Sequence, residues 1–353
     1  MRVSIALATY NGARFLREQL ASLVGQTVLP AELVVSDDGS TDETLAIVRD
    51  FAGSAPFPVT VAEKNERLGF SDNFLFAAER CQHDLVAFCD QDDVWLPAKL
   101  ETALRRMHDD GSVLTLHTHI LTDENLKPYG HWMQDIVGDR VHEPLALDPY
   151  RTGWGNSMLF RRELLALIAR ERRPRQPEEP HRPLSHDTWI YMLAAALGRV
   201  SHLASPLILY RQHGANSMGF GRPDRWRRLA QMRSVPLARY KEHALINGLM
   251  AGFFDEISRT PGPFADRAAA AASCFRERQA LQAARAAVFT APGMGARLRS
   301  YRAAQRLAGP SRHWIGSRIK DVVIGVTGLH ALGRTMSASG RRNTEPCTPG
   351  EKA

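Results

Sequence analysis

The sequence predicts an α/β fold, a mostly parallel sheet flanked by helices, with a helical extension behind it. Three observations predict it. Short apolar runs alternate with stretches of helical period over the first two hundred residues, which is the pattern of βα units. Polar loops rich in Gly, Asp and Ser follow the ends of those runs. Beyond residue 220 strand signals fade and the chain turns rich in Ala, Arg and Leu.

Val3 to Ala8 is the first strand candidate, closed by the turn Thr9-Tyr10-Asn11-Gly12. Arg14 to Gly25 places Leu16, Leu20 and Leu23 at core spacing for a helix. Leu33-Val34-Val35 is a second strand. It runs into Ser36-Asp37-Asp38-Gly39-Ser40-Thr41-Asp42. Ser40 and Glu43 have capping-box spacing and open a helix carrying Leu45, Val48 and Phe51. Val59-Thr60-Val61 is a third strand, and Ser71 stands where it can cap a helix holding Phe74, Ala77 and Ala78. Leu85-Val86-Ala87-Phe88 is a buried strand that ends in Asp90-Gln91-Asp92-Asp93-Val94-Trp95. Pro97 suits the first turn of the next helix, with Leu100, Leu104 and Met107 at helical spacing.

Leu114 to Ile120 reads as another strand. Residues 123–150, with Tyr129 and Trp132, are polar and turn-rich: either a wall of a binding site or a surface excursion. Gly153 to Phe160 gives a Gly-rich turn and a strand. Prolines exclude regular helix from 171–184, which leads into Ser185-His186-Asp187-Thr188-Trp189 and a helix to Leu197. A strand signal then runs into Tyr210-Arg211-Gln212-His213. Behind it, helices are expected over Arg225 to Tyr240, Glu242 to Ile257 and Arg267 to Phe289. Pro261-Gly262-Pro263 and Pro292-Gly293 are the breaks. Trp314, Ile315, Ile319, Val322, Val326 and Leu329 fall near one helical stripe. Residues 314–332 are either a helix lying at a membrane surface or one packed on the front domain. Residues 337–353 read as a disordered tail.

The chain of 353 residues is long enough for a sizeable core and two domains. Its net charge of +7 hides an asymmetry. Residues 1–220 hold 22 Lys and Arg against 29 Asp and Glu, a balance of −7; residues 221–353 hold 23 against 9, a balance of +14. Four cysteines without a CxxC pair fit a reducing compartment. Val3 to Ala8 is too short for the apolar core of a secretory leader, and no run reaches the ~18 apolar residues of a membrane span. The loops carry neither GxGxxG nor GxxxxGK[ST], which disfavours dinucleotide oxidoreductases and P-loop NTPases.

Three carboxylates within four residues sit where a buried strand gives way to a helix. In an open α/β sheet that edge binds ligands. Crowded carboxylates raise each other's pKa unless a cation holds them, and hard oxygen ligands suit Mg²⁺ or Mn²⁺ on a substrate diphosphate. A solvated acidic turn is the plainer alternative. Asp37 and Asp38 either bind a base or ribose or serve only their turn.

Taken together, Thr9-Tyr10-Asn11-Gly12, Glu18-Gln19-Leu20, Ser22-Leu23, Gln26-Thr27, Ser36-Asp37-Asp38-Gly39-Ser40-Thr41-Asp42 and Asp90-Gln91-Asp92-Asp93-Val94-Trp95 with Pro97, Lys99 and Leu100 resemble the family 2 inverting glycosyltransferases. The Asp-Gln-Asp-Asp-Val-Trp run further resembles their bacterial rhamnosyltransferase-like branch. The resemblance covers residues 1 to about 100 and implies a GT-A fold, a nucleotide-diphosphate sugar donor and a divalent cation. It implies that Thr9 and Tyr10 lie under the nucleotide, Asp38 pairs with the base, Asp90 faces the ribose and Asp92 binds the metal. His186-Asp187-Thr188-Trp189 matches the place of the family's catalytic base, hence Asp187, although a carboxylate there also suits a helix cap. The Tyr-Arg-Gln-His segment implies that Arg211 meets the diphosphate and that His213 is a metal ligand or a diphosphate contact.

Residues 1–220 are thus expected to be the catalytic domain, with a nucleotide-sugar half over 1–110 and an acceptor and base half over 111–220. Residues 221–336 form a basic helical extension. The expected reaction moves a sugar, first of all L-rhamnose from dTDP-L-rhamnose, to a hydroxyl of a cell-surface or lipid-linked glycan. The expected site is cytoplasmic, with peripheral contact to the inner membrane face through 314–332 and no nucleic-acid partner. A sugar-phosphate nucleotidyltransferase shares the sheet and metal logic but normally has a basic Gly-rich loop after its first strand. A non-catalytic glycan-binding protein does not require Asp90, Asp92 and Asp187 together.

Overall fold

The computed structural model describes residues 1–64, 66–149, 153–167, 169–175, 182–214 and 237–308. Residues 225–236 of the helix expected over Arg225 to Tyr240, the stripe at 314–332 and the tail at 337–353 lie outside these residues. The chain divides into two compact units, Met1–Arg222 with Gly252–Ala272, and Pro223–Ala251 with Ser273–Ala353.

The first unit is built on one sheet. β1 (Val3–Thr9), β2 (Glu32–Asp37), β3 (Val59–Val61) and β4 (Leu85–Cys89) are parallel, in the order β3-β2-β1-β4. Every residue of β1, β2 and β4 is buried, because helices cover both faces. One face packs against Leu16, Leu20 and Leu23 of α1 (Ala13–Val24), Ile47 and Val48 of α2 (Thr44–Ala52) and Leu100, Ala103 and Met107 of α4 (Lys99–Asp110). The other carries Phe88, which meets Phe74 of α3 (Phe70–Arg80) edge-on, and Phe160.

Beyond β4 the sheet continues through β9 (Leu159–Arg161), β6 (Leu114–Thr122), β10 (Val200–Arg211) and β5 (Val94–Trp95). β9 is antiparallel to β4 and to β6, and β10 is parallel to β6. β4, β6 and β10 therefore end along the same edge as β1 and β2. β10 loses register with β6 around Pro206, which has no N–H for the ladder. α5 (His186–Leu197) is buried nearly throughout.

Several expectations are corrected. Val94–Trp95 is a short antiparallel strand on β10. Residues 123–150 hold two more strands, β7 (Pro128–Trp132) on β6 and β8 (Arg140–His142) on β10; their side chains are largely exposed, so no apolar alternation marks them. The Ser40–Glu43 capping box does not form. Ser40 Oγ donates instead to Asp37 at 2.5 Å, and Asp42 receives the Thr44 N–H at 3.0 Å. Ser71 lies inside α3, which opens at Gly69 without a side-chain cap.

In the second unit, α6 (Leu237–Arg259, as far as Ala251) and α7 (Ala265–Thr290, from Ser273) form a small core of Tyr240, Ala286, Val288 and Phe289, against which Tyr301 of α8 (Gly293–Ala308) packs. The expected break at 261–263 falls between α6 and α7, and Pro292 precedes α8, which Gly293 opens. No helix among the described residues is long and apolar enough to cross a membrane.

Candidate active site

The loops after β1 and β2 are locked together by polar side chains. Thr9 Oγ1 donates to Asp37 at 2.8 Å, and Asp37 also takes the N–H groups of Gly39 and Ser40. The four N–H groups from Tyr10 to Ala13 go to Gln91, Ser40, Thr44 and Asp42 in turn. This turn therefore has no spare amides with which to cradle a phosphate, unlike a P-loop. Tyr10 keeps a partly exposed ring under Arg67, whose guanidinium lies 3.9 Å from the ring centroid.

Asp38 is buried and heavily bonded. Lys64 Nζ lies at 2.8 Å, and the Leu68 and Gly69 N–H groups donate at 2.7 and 2.8 Å. Burial alone would raise its pKa; Lys64 and the two amides outweigh it and hold the carboxyl below its usual range. Lys64 also reaches Asn73, which ties β1 to β2 through the Thr9 and Ser36 carbonyls. Asp38 thus anchors the 64–69 loop beside the Tyr10 ring.

The acids after β4 divide into different environments. Asp93 is fully buried, accepting from Asn156 Nδ2 at 2.7 Å and the Arg211 N–H at 3.1 Å. Burial, then the neighbouring Asp92, push it up to about 8. Asp92 is half-buried and pairs with His213 Nε2 at 2.8 Å, and His213 packs on Phe15. The carboxylate of Asp90 receives no hydrogen bond from the described residues. Burial, then Asp93, Asp92 and Asp187, drive it well above the ordinary range. Beneath the acids lies Lys99, buried, with Nζ 2.5 Å from the Asn156 carbonyl and 3.8 Å from the Trp95 ring centroid. Burial pushes it down to about 7 despite Cys89, Asp93 and Asp90. Lys99, so weakened, does not by itself balance the three acids, and such a cluster favours further positive charge.

Asp187 lies in the first turn of α5, one residue past its first residue His186. Its Oδ1 accepts from Ser185 Oγ and, at 2.7 Å, from the Thr188 N–H. No described residue donates to its Oδ2. The turn is held from behind. His186 stacks on Phe74 at 4.2 Å and meets Phe70 and Phe88 edge-on, while its N–H donates to Ser71 at 2.7 Å. Arg173 is buried beside it, bonded to Ser71, Asp72 and the Leu184 carbonyl. Gly155 makes the approach possible: a Cβ there would stand 2.6 Å from His186 Nε2 and 3.6 Å from Asp187 Cβ.

The strand edge therefore gathers Thr9, Tyr10 and Asp38 at one end and Asp90, Asp92, His213 and Asp187 at the other. Arg211 is placed differently from the phosphate contact expected of it. It is 2% exposed, and its guanidinium donates to Glu18 and to the carbonyls of Asp92 and Glu124. It clasps the acidic loop to β10. Sequence reasoning missed Asn156, whose only signal was its place after a Gly-rich turn. It also passed over Lys64, Asn73 and Arg173, which touch the site's residues only through the fold.

For a divalent cation, Asp92 and His213 offer an oxygen and a nitrogen side by side, and Asp90 offers a carboxylate without a hydrogen-bond donor. No group of three or more His, Cys, Asp or Glu side chains poised to hold a metal occurs among the described residues. The donors fit a cation that completes its shell with substrate oxygens.

Residues 4–168 match the family described as Glycosyl transferase family 2. An uncharacterized glycosyltransferase of Nostoc sp. is 30% identical over 228 residues, 62% of this chain and 66% of that protein, so the match spans about two thirds of the relative's length. A dTDP-rhamnosyl transferase, RfbG, of Shigella flexneri is 24% identical over 224 residues, 60% of this chain and 73% of that one. Among solved structures, S. aureus TarS 1-349 in complex with UDP has a TM-score of 0.55 at 17% identity, covering 99% of this chain and 95% of that one. The same TarS fragment with UDP-GlcNAc gives 0.54 at 16% identity, covering 94% and 92%. This likeness shows a common fold.

Proposed function

We propose that the protein is a glycosyltransferase of GT-A fold, with its family 2 domain over residues 4–168, and that it performs a metal-dependent, inverting transfer of a hexose to a glycan hydroxyl. One observation carries the reading. Asp187, to whose Oδ2 no described residue donates, stands close enough to Asp90 for its charge to help push the Asp90 carboxyl up, at the edge where Asp92 and His213 pair at 2.8 Å.

The roles follow from the chemistry. Tyr10, Arg67 and the loop anchored by Asp38 form the nucleotide end. Asp92 and His213 would hold a Mg²⁺ or Mn²⁺ ion on the donor's diphosphate, with Asp90 toward the ribose. When bound, the cation neutralises charge on the departing diphosphate, so no general acid is required. Asp187 Oδ2 accepts the proton of the acceptor hydroxyl as its oxygen bonds to the anomeric carbon and the bond to the diphosphate breaks. Arg211, Asp93 and Asn156 position the acidic loop. Residues 1–220 would supply the groups for this chemistry, within a unit that 252–272 complete.

For the donor, dTDP-L-rhamnose is favoured by the Asp-Gln-Asp-Asp-Val-Trp run and by the Shigella relative's name. The UDP-GlcNAc complex of TarS supports nucleotide sugars generally. The nucleotidyltransferase reading loses ground because the turn after β1 carries no basic residue and its amides are occupied. Release of free nucleotide from dTDP-L-rhamnose and UDP-GlcNAc tests the proposal, with Mn²⁺ or EDTA. The expected result is slow metal-dependent release to water, abolished by Asp187→Asn. Release that ignores both EDTA and the substitution would contradict it.

A further inference from the structure

The second unit carries the molecule's excess of positive charge. Pro223–Ala251 and Ser273–Ala353 hold 20 Lys and Arg against 6 Asp and Glu, a balance of +14. In that unit α8 has four arginines and no acid. Side chains four residues apart stack along a helix, so its surface divides into rows. Met294, Leu298, Arg302 and Arg306 form one row; Gly295, Arg299, Ala303 and Leu307 form the row beside it. All eight are exposed. The other side of the helix holds the buried Ala304, and Tyr301, which packs on the unit's core. The exposed face is mixed. Met294, Leu298 and Leu307 are 70%, 37% and 47% exposed. Arg299, Arg302 and Arg306 stand among them and make no ion pair with the described residues.

We propose that this face of α8 docks on an anionic lipid surface, with the helix lying in the plane of the bilayer. The mixture of side chains selects that partner. Water solvates the arginines but leaves three large apolar side chains uncovered. An apolar protein surface would cover those and leave three guanidinium groups buried without partners. A nucleic acid would take the guanidinium groups on its phosphates and leave Met294, Leu298 and Leu307 in water. The headgroup region of a bilayer offers both. Phosphate oxygens meet the forked donors of arginine, and the acyl boundary just beneath receives the apolar side chains. Flexible arginine stems let the charged heads stay among the headgroups while their neighbours go deeper. With no carboxylate in α8, nothing on the helix repels an anionic leaflet. No described helix is long and apolar enough to cross a membrane, so the contact is peripheral. Membrane contact was expected from the sequence at 314–332; α8 is a separate segment with its own exposed face. The inference does not depend on the transfer proposed above.

Flotation of the full-length protein with lipid vesicles tests it. Vesicles of phosphatidylcholine mixed with phosphatidylglycerol are expected to bind it about tenfold more tightly than phosphatidylcholine alone, and added NaCl to weaken that binding. Arg299→Gln, Arg302→Gln and Arg306→Gln combined are expected to weaken it about a hundredfold, from roughly fivefold for each arginine. Met294→Ser with Leu298→Ser is expected to weaken it about tenfold. All five positions are exposed, so urea midpoints of both variants should match wild type and show an intact fold. Three results would overturn the inference. One is a wild-type protein that ignores the anionic vesicles at low salt. Another is undiminished binding in either folded variant. The third is binding to a DNA duplex that exceeds vesicle binding and survives the Met294 and Leu298 substitutions, which would assign the face to nucleic acid.

Discussion

Asn156 joins three charged or titratable groups in the dry interior. Its amide donates to Asp93, its side-chain oxygen meets His119 Nε2 at 2.8 Å, and its carbonyl receives Lys99. Asn156→Ala leaves Asp93 and His119 without those partners, at about 1–3 kcal/mol for each orphaned group. A stability loss of about 2–5 kcal/mol is expected in urea unfolding, and an unchanged midpoint would refute the assignment. For Asp187, substitution by Asn keeps the shape and removes the base. Turnover is expected to fall by about 10²–10⁴ while nucleotide affinity stays the same; equal losses in both would make Asp187 structural. The family's motifs single out Asp92 and Asp187, and the fold brings both beside Asp90 at one strand edge. The Arg211 clasp was not legible in the sequence, which shows a charge beside a motif but not which acceptors it meets.

At the scale of elements, Asp187, the proposed base, is positioned by the packing of one turn on one helix. Gly155→Ala would place a methyl group 2.6 Å from a ring locked among Phe70, Phe74 and Phe88, so the start of α5 must shift. A displacement of ~1 Å can cost about 10²-fold in rate. Gly155→Ala is therefore expected to lose transfer on that scale with nucleotide binding intact, measured as nucleotide release beside a calorimetric titration; unimpaired release would show that the contact does not matter. The parallel strands β1, β2 and β4 were readable because burial on both faces makes them continuous apolar runs. β5, β7 and β8 were not. Each is short, and its place comes from pairing with β10 or β6, which local sequence does not encode.

Across the whole molecule, the buried histidines should make the fold sensitive to acid. Burial pushes His119 and His186 down to about 4 and His117 further. Between the unfolded value near 6.5 and about 4 the unfolded chain binds protons that the folded one refuses. Each such histidine therefore takes away up to about 1.4 kcal/mol per pH unit as pH drops through that window, while the raised carboxyls of Asp90 and Asp93 act the other way and offset part of the fall. Urea midpoints at pH 6.5, 5.5 and 4.5 should decline, less steeply in His186→Asn; a flat profile would mean these rings are hydrated. The central claim concerns the strand edge, where a nucleotide and a cation are expected to bind together. Calorimetry of the purified protein with UDP and dTDP, each with and without Mn²⁺ and repeated on Asp92→Ala, tests it most directly. Nucleotide binding that requires Mn²⁺ and disappears in Asp92→Ala is the predicted result; a folded wild-type protein that binds neither nucleotide, or binds equally well without metal and without Asp92, would contradict it.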